Sequence, residues 1–336
     1  MEHLRYLTDH YDEKIQKILA IDAPLNFIFI TDQHNRMNQY SYEHGYLNID
    51  GYELGVNAVD SMQYILDRCP KISCVISGGD IGNDYHRDAD EVRKSHQEIM
   101  DAMYRLSVPL HCVVGNHDDA LGHACDLKFD TRKYGILSEE MHALCMKNNP
   151  TAENYYYIDF EEQGYRFVFL NTSDKPYLTD ESGQYPHCLG WRLEIGSKQA
   201  LWLEKEALNT NKKIIVFSHS PIHNAGIIGS EGEPELIKPY DDLLGGPRVY
   251  HAIKQCPNVV AMIAGHVHYD NLLYDDGIVS VTSLSSLAQE WSPLCPKREF
   301  GTITETAFDV FSFKDNHIYI TRFGAGEDRM ATMLRY

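Results

Sequence analysis

Basic residues are scarce in this chain. Thirty Lys and Arg stand against 49 Asp and Glu, for a formal net charge of -19. No Lys/Arg cluster offsets the excess, so most of the surface repels polyanions and duplex nucleic acid is not an expected partner. No apolar run is long enough to span a bilayer. The opening "MEHLRYLTDHYDEK" is acidic and interrupted, unlike a secretory leader, so no membrane role is expected. The eight cysteines form no C-x-x-C pair, and Cys74 and Cys112 sit inside apolar runs where reduced cysteine packs as a small core residue. These absences point to a reducing, cytoplasmic compartment. Internal repeats, low-complexity tracts and Pro/Gly/Ser linkers are also missing, which favours a single domain over residues 1–336.

What is present is a series of short apolar runs: "NFIFI" (26–30), "ISCVIS" (72–77), "LHCVV" (110–114), "RFVFL" (166–170), "KIIVFS" (213–218) and "VVAMIA" (259–264). Continuous rather than alternating apolar character marks strands buried on both faces. Helical spacing appears at Leu4, Leu7, Tyr11, Ile15 and Ile18, and again at Val92, Ile99, Met103 and Leu106. "SKQALWLEKEAL" reads as a further helix with Ser197 as N-cap. Strands alternating with helices imply an α/β fold. The tail, "AFDVFSFKDNHIYITRF", alternates around Asp315-Asn316 and reads as an antiparallel hairpin at a sheet edge, over about 306–323.

The residues that follow these strands carry the chemistry. They are Asp32-Gln33-His34, Gly79-Asp80, Gly115-Asn116-His117-Asp118, His219 and Gly265-His266-Val267-His268. In α/β sheets, ligands bind beyond the carboxyl ends of the strands, so the five segments can converge on one crevice. Asp32, Asp80, Asn116, His34, His219, His266 and His268 are too many donors for one ion and suit two ions sharing a carboxylate. Two ions about 3.5–4 Å apart can clamp the attacking and leaving oxygens of an in-line displacement, with a hydroxide between them as nucleophile. Oxygen and imidazole donors without thiolate favour Mn, Fe or Zn, divalent or mixed-valence. Such a site, of charge about +1, would trap a small anion inside an acidic protein.

The five blocks in this order, D-x-H, G-D-x-x-[D/N], G-N-H-[D/E], a lone histidine and G-H-x-H, resemble the calcineurin-like metallophosphoesterase family. The resemblance implies a four-layer α/β/β/α sandwich of two mixed sheets flanked by helices. It implies one metal on Asp32, His34, Asp80 and His268, and a second on Asp80, Asn116, His219 and His266. His117 would then touch substrate, as Asn116 would, and act as general acid on the leaving oxygen. In some members an aspartate at the end of the G-D block orients this histidine. Asn83 holds that position here, beside Asp84. An amide carries no charge to stabilise an imidazolium, so Asn83 as the partner implies a lower pKa for His117 than an aspartate would give.

The resulting expectation is a dinuclear phosphoesterase for a small phosphate ester. A phosphodiester, cyclic nucleotides among them, is slightly favoured over a phosphomonoester. A non-catalytic metal-binding scaffold of the same fold is the alternative from another class. A β-lactamase-like hydrolase is set aside because the chain has no H-x-H-x-D-H run. Two insertions lie between the blocks: Tyr-rich 38–48, which reads as a surface excursion or a stacking rim, and acidic 222–246, which reads as a lid and begins beside His223, a candidate substrate contact.

Overall fold

The computed structural model describes residues 3–36, 54–222, 244–286, 295–299 and 301–335. His223, the 38–48 segment and residues 223–243 of the second insertion lie outside them.

Every apolar run noted above forms a strand. One sheet holds β1 (Leu25–Ile30), β2 (Ile72–Ser77), β3 (Leu110–Cys112), β10 (Ala307–Lys314), β11 (His317–Gly324) and β12 (Arg329–Thr332), in the order β12-β11-β10-β1-β2-β3. The other holds β4 (Tyr156–Phe160), β5 (Tyr165–Phe169), β6 (Lys213–Ser218), β7 (Val259–Ala264), β8 (Asn271–Asp275) and β9 (Ile278–Thr282), in the order β4-β5-β6-β7-β9-β8. Both are mixed: β1, β2 and β3 run parallel, as do β5, β6, β7 and β9, and the remaining strands pair antiparallel.

Helices cover the outer faces. Helix α1 (Thr8–Ile21) buries Tyr11, Ile15 and Ile18 in the same core as the first sheet. Helices α2 (Leu54–Leu66) and α3 (Ala89–Met103) add Met62, Ile65, Val92, Ile99 and Met103 to it. Asp88 caps α3 by accepting from the Asp90 amide at 3.0 Å. Behind the second sheet, Leu203, Val249 and Ile253 pack with Val168, Ile214, Val216 and Val259. The layers are therefore α/β/β/α.

Two local expectations change. Ser197 is the first residue of the helix Ser197–Trp202; Gly196 occupies the cap position and no side chain caps it. The C-terminal hairpin pairs Ala307 with Gly324 through to Lys314 with His317, but it is not at the edge. Strand β10 also pairs with β1, and β12 takes the outer position. The alternation in the tail is misleading because its polar residues are buried too: Asp309 and Arg322 are both fully enclosed.

Phenylalanines hold the sheets together. Phe27 of β1 stacks on Phe311 at 5.2 Å and meets Phe167 and Phe217 of the second sheet edge-on at 5.1 and 5.5 Å. Offset and edge-on aromatic pairs add to the burial of their apolar area. A buried ion network ties the sheets at one end. Arg322 donates to Asp309 at 2.8 and 2.9 Å and to Asp270 at 2.6 Å. Ser283 and Arg329 also donate to Asp309, both at 2.7 Å. Asp270 lies two residues after His268, so this network fixes the loop that carries the last histidine block. Phe27→Ala should cost about 3–5 kcal/mol in urea unfolding, whereas exposed Leu178→Ala should stay within about 0.5 kcal/mol.

Candidate metal centre

The parallel strands send their loops out at one end. Ile30 of β1 is level with Ser77 of β2, and Ser218 of β6 with Ala264 of β7. The first two loops go on pairing past the strands: the amides of Asp32 and His34 donate to the carbonyls of Gly79 and Asp80, each at 2.9 Å. The Gly265 amide likewise donates to the His219 carbonyl at 3.0 Å. Asp32, His34, Asp80, His266 and His268 all have positive φ, between 40° and 69°. Non-glycine residues seldom adopt this region, and such strain collects at functional sites. Glycines permit the close approach. A Cβ at Gly115 would strike the Asp80 carboxylate, and one at Gly265 would strike Thr31 and Asp32.

The side chains form two overlapping groups. Asp32, His34, Asp80 and His268 bring four donor atoms within 4.8 Å of one another, and Asp80, His219 and His266 bring three. Asp80 belongs to both. His268 Nε2 lies 3.1 Å from Asp32 Oδ1, and His219 Nε2 lies 3.1 Å from Asp80 Oδ2. Asn116 Oδ1 is 2.9 Å from His219 Nε2, which places the amide oxygen with the second group. His219 Nδ1 donates to the Gly78 carbonyl at 2.8 Å and so turns Nε2 inward. Thr31 Oγ1 and the His266 amide both donate to Asp32 Oδ2, at 2.7 and 2.9 Å.

The charges test whether cations fit. Asp32 and Asp80 are fully buried, and among the described residues neither has a Lys or Arg within ion-pair distance. Burial works against their ionisation, yet the surrounding histidines hold Asp32 down to about 2 and Asp80 well below its ordinary range. Burial also works against a charged His219, but Asp80 overcomes it and raises that imidazole to about 9. His34 and His266 are lowered to about 3, chiefly by burial, and stay neutral. Two enclosed carboxylates with no basic side chain, ringed by imidazoles and one amide oxygen, match the donor chemistry of Mn, Fe or Zn.

His117 stands beside this cluster with Nε2 4.0 Å from Asp80 Oδ2. Its orienting partner is Asp84, which corrects the expectation for Asn83. His117 Nδ1 lies 3.0 and 3.1 Å from the two Asp84 oxygens. The Asn83 side chain instead donates to the Arg36 carbonyl and accepts from the Tyr85 amide, at 2.8 and 2.9 Å. Both residues are buried, but the loop after Gly82 turns Asn83 away from His117 and Asp84 toward it, a choice that residue spacing does not reveal. Burial would lower the His117 pKa, but Asp84 and Asp80 outweigh it and raise it to about 10, opposite to the shift implied by an amide partner.

Several contributors were not legible in the motifs. Asp118 accepts from the amides of Asp80, Ile81 and Gly115 at 3.1, 2.8 and 2.6 Å, and so binds two of the loops together. Asp119 forms a buried ion pair with Lys175 at 2.6 Å. His123 and Trp191 pack on the His117 ring, with centroids at 5.3 and 4.9 Å. Only the extra acids in "NHDD" hinted at this surrounding shell.

Fold and site together define an α/β sandwich with two overlapping groups of candidate metal ligands at the carboxyl ends of the parallel strands. The family model for calcineurin-like phosphoesterases matches residues 25–270, and the chain belongs to that family. It is 22% identical over 247 residues to a probable cyclic nucleotide phosphodiesterase of Psychrobacter sp. (strain PRwf-1), covering 72% of this chain and 60% of that protein. It is 26% identical over 217 residues to the manganese-dependent ADP-ribose/CDP-alcohol diphosphatase of Homo sapiens, covering 54% and 59%. The matches thus span about three-fifths of these relatives' length. Among solved structures, a dimetal phosphatase from Danio rerio superposes with a TM-score of 0.60 at 17% identity, covering 93% of this chain and all of that one. GAP50, the anchor in the inner membrane complex of Plasmodium, gives a TM-score of 0.51 at 14% identity, covering 94% and 90%. At these identities the structural likeness is one of fold.

Because His219 keeps its proton up to about pH 9 without metal, it must lose that proton to donate its Nε2 lone pair. Metal uptake at pH 7 should therefore release a proton. Affinity should climb by up to about tenfold per pH unit below pH 9 and flatten above it. Calorimetric titration of metal-free protein in two buffers of different ionisation enthalpy measures this; zero proton release would contradict it. Asp84→Asn should lower turnover by up to about 10²-fold, because His117 loses the carboxylate that positions it. Asn83→Asp should leave the pH–rate profile unshifted.

Proposed function

We propose that the protein is a metal-dependent phosphoric ester hydrolase that holds two ions, Mn, Fe or Zn, in the centre built on Asp80. The observation that carries this reading is the overlap of two donor groups at one buried carboxylate, with an Asp84-held histidine beside it. Asp32, His34, Asp80 and His268 would hold one ion, and Asp80, Asn116, His219 and His266 the other. When bound, the ions supply positive charge that neutralises the phosphoryl oxygens and activates water for in-line attack.

The protein's own groups do the rest. Asn116 and His117 contact the phosphoryl group. His117 donates its Nδ1 proton to Asp84 and presents Nε2 toward the site. In the imidazolium form, Nε2 gives its proton to the departing oxygen and the ring becomes neutral, still held through Nδ1. Both sheets supply donors to this one centre, which supports reading residues 1–336 as one domain. His223 stays as a proposed substrate contact.

The substrate we favour is a small phosphodiester, cyclic nucleotides among them, ahead of a phosphomonoester. A diester carries a single negative charge and so meets less repulsion from a surface of net charge -19. The relatives' names, a cyclic nucleotide phosphodiesterase and an ADP-ribose/CDP-alcohol diphosphatase, support a phosphate flanked by two substituents. The manganese dependence in the second name supports manganese. All eight cysteines are free thiols, which supports a cytoplasmic location. No helix among the described residues is long and apolar enough to cross a membrane. A non-catalytic scaffold is the competing reading, since a neighbour of similar fold is named an anchor.

A bis-aryl and a mono-aryl phosphate, assayed with manganese, separate these readings. Faster turnover of the bis-aryl ester supports the diesterase. His117→Ala should keep its metal and lose about 10²–10⁴-fold in kcat. Metal-loaded wild-type protein that hydrolyses neither ester would favour the scaffold.

A further inference from the structure

His117 shares its carboxylate with a second histidine. After the "GNHDD" turn, the Ala120 amide donates to the His117 carbonyl at 2.9 Å, and Ala120 takes a left-handed φ of 57°. That reversal starts helix α4 (Leu121–Asp126) and brings His123 back beside His117. Asp84 Oδ1 lies 3.0 Å from His117 Nδ1 and 3.0 Å from His123 Nδ1. His123 is buried, with the Tyr85 ring edge-on at 4.3 Å. Trp191, just past the helix His187–Gly190, stands edge-on to both imidazoles, 4.9 Å from each. Its indole nitrogen donates to Asp126 at 2.9 Å. Its ring lies so close to Gly122 that a Cβ there would be 2.6 Å away.

We propose that His123 is a positioning residue for the leaving-group proton donor, with Trp191 as the lateral stop. This rests on the role given to His117 above. A carboxylate held by one flexible partner can rotate and carry that partner with it. A second imidazole nitrogen 3.0 Å from the same oxygen, on a helix pinned by an indole, restricts that freedom by contact. His117 Nδ1 then keeps its bond to Asp84, and His117 Nε2 is left aimed at the leaving oxygen. Misplacement of a reacting group by about 1 Å can cost up to about 10²-fold, so the effect falls on kcat. It also depends on the substrate. A p-nitrophenolate leaves without a proton, whereas a phenolate or alkoxide gains from one.

The test compares phenyl and p-nitrophenyl esters of the same phosphate with the metal-loaded full chain. His123→Leu should lose roughly tenfold or more kcat on the phenyl ester beyond its loss on the p-nitrophenyl ester, with KM little changed. His123→Asn, which restores a polar nitrogen near the Nδ1 position, should recover most of that difference. Metal content and the unfolding midpoint should match wild type. If His123→Leu does not fold, Trp191→Phe should give the same leaving-group-dependent loss. Equal losses on both esters, or no loss, would overturn the proposal. So would the disappearance of a third equivalent of metal in His123→Leu, which would make Asp84, His117 and His123 a ligand set. A separate readout uses the metal-free protein: a low-field imidazole N–H proton resonance from His117, lost in Asp84→Asn and shifted in His123→Leu. An unchanged His117 resonance in His123→Leu would refute the positioning contact whatever the activity. Wild type inactive on both esters would instead fell the functional reading, and this proposal with it.

Discussion

Two carboxylates shut away from water, with no Lys or Arg beside them among the described residues, set the terms for the rest of the site. Asp32 and Asp80 are fully buried at the ends of adjacent parallel strands. A buried charge without a partner is costly, and two like charges side by side are costlier. Without metal, protons on His219 and His117 supply the opposing charge. With metal, cations would do so more strongly. The raised imidazoles and the lowered carboxylates are thus one phenomenon: a negative hole whose occupant is a proton or a metal ion.

Such a hole exists only while the two sheets stay in register with each other. One sheet presents Asp32, His34, Asp80 and Asn116, and the other presents His219, His266 and His268. The phenylalanine layer around Phe27 sets their separation through rigid rings. The Arg322–Asp309 network then clamps the end where the ligand loops emerge and reaches Asp270 beside the last histidine block. Backbone strain at five of the donor residues is carried by this enclosure and would not persist in an isolated loop.

The side around His117 is organised by a different logic. It draws on short helices and loops rather than strand ends, and its members are aromatic or shared carboxylates. Asp84 serves two imidazoles, Asp118 serves three backbone amides, and Asp119 is neutralised by Lys175. Each acid in that neighbourhood has a distinct partner, so adjacent residues of the same type do unrelated work.

Sequence alone determined the α/β architecture and the donors that would meet. Buried parallel strands must be apolar throughout, and polar residues abruptly following them stand out against that background. Edge strands such as β8, half-buried and mixed in character, left no such contrast and were missed. The tail hairpin was legible as a hairpin but not as an interior one, because its polar residues are buried in ion pairs rather than exposed. Tertiary structure alone decided which of Asn83 and Asp84 faces His117, what Asp118 binds, and that His123 and Trp191 complete the group. Strand ends are fixed by a periodicity that sequence carries. The direction of a side chain in a loop is fixed by what packs against it, and those partners lie tens of residues away along the chain.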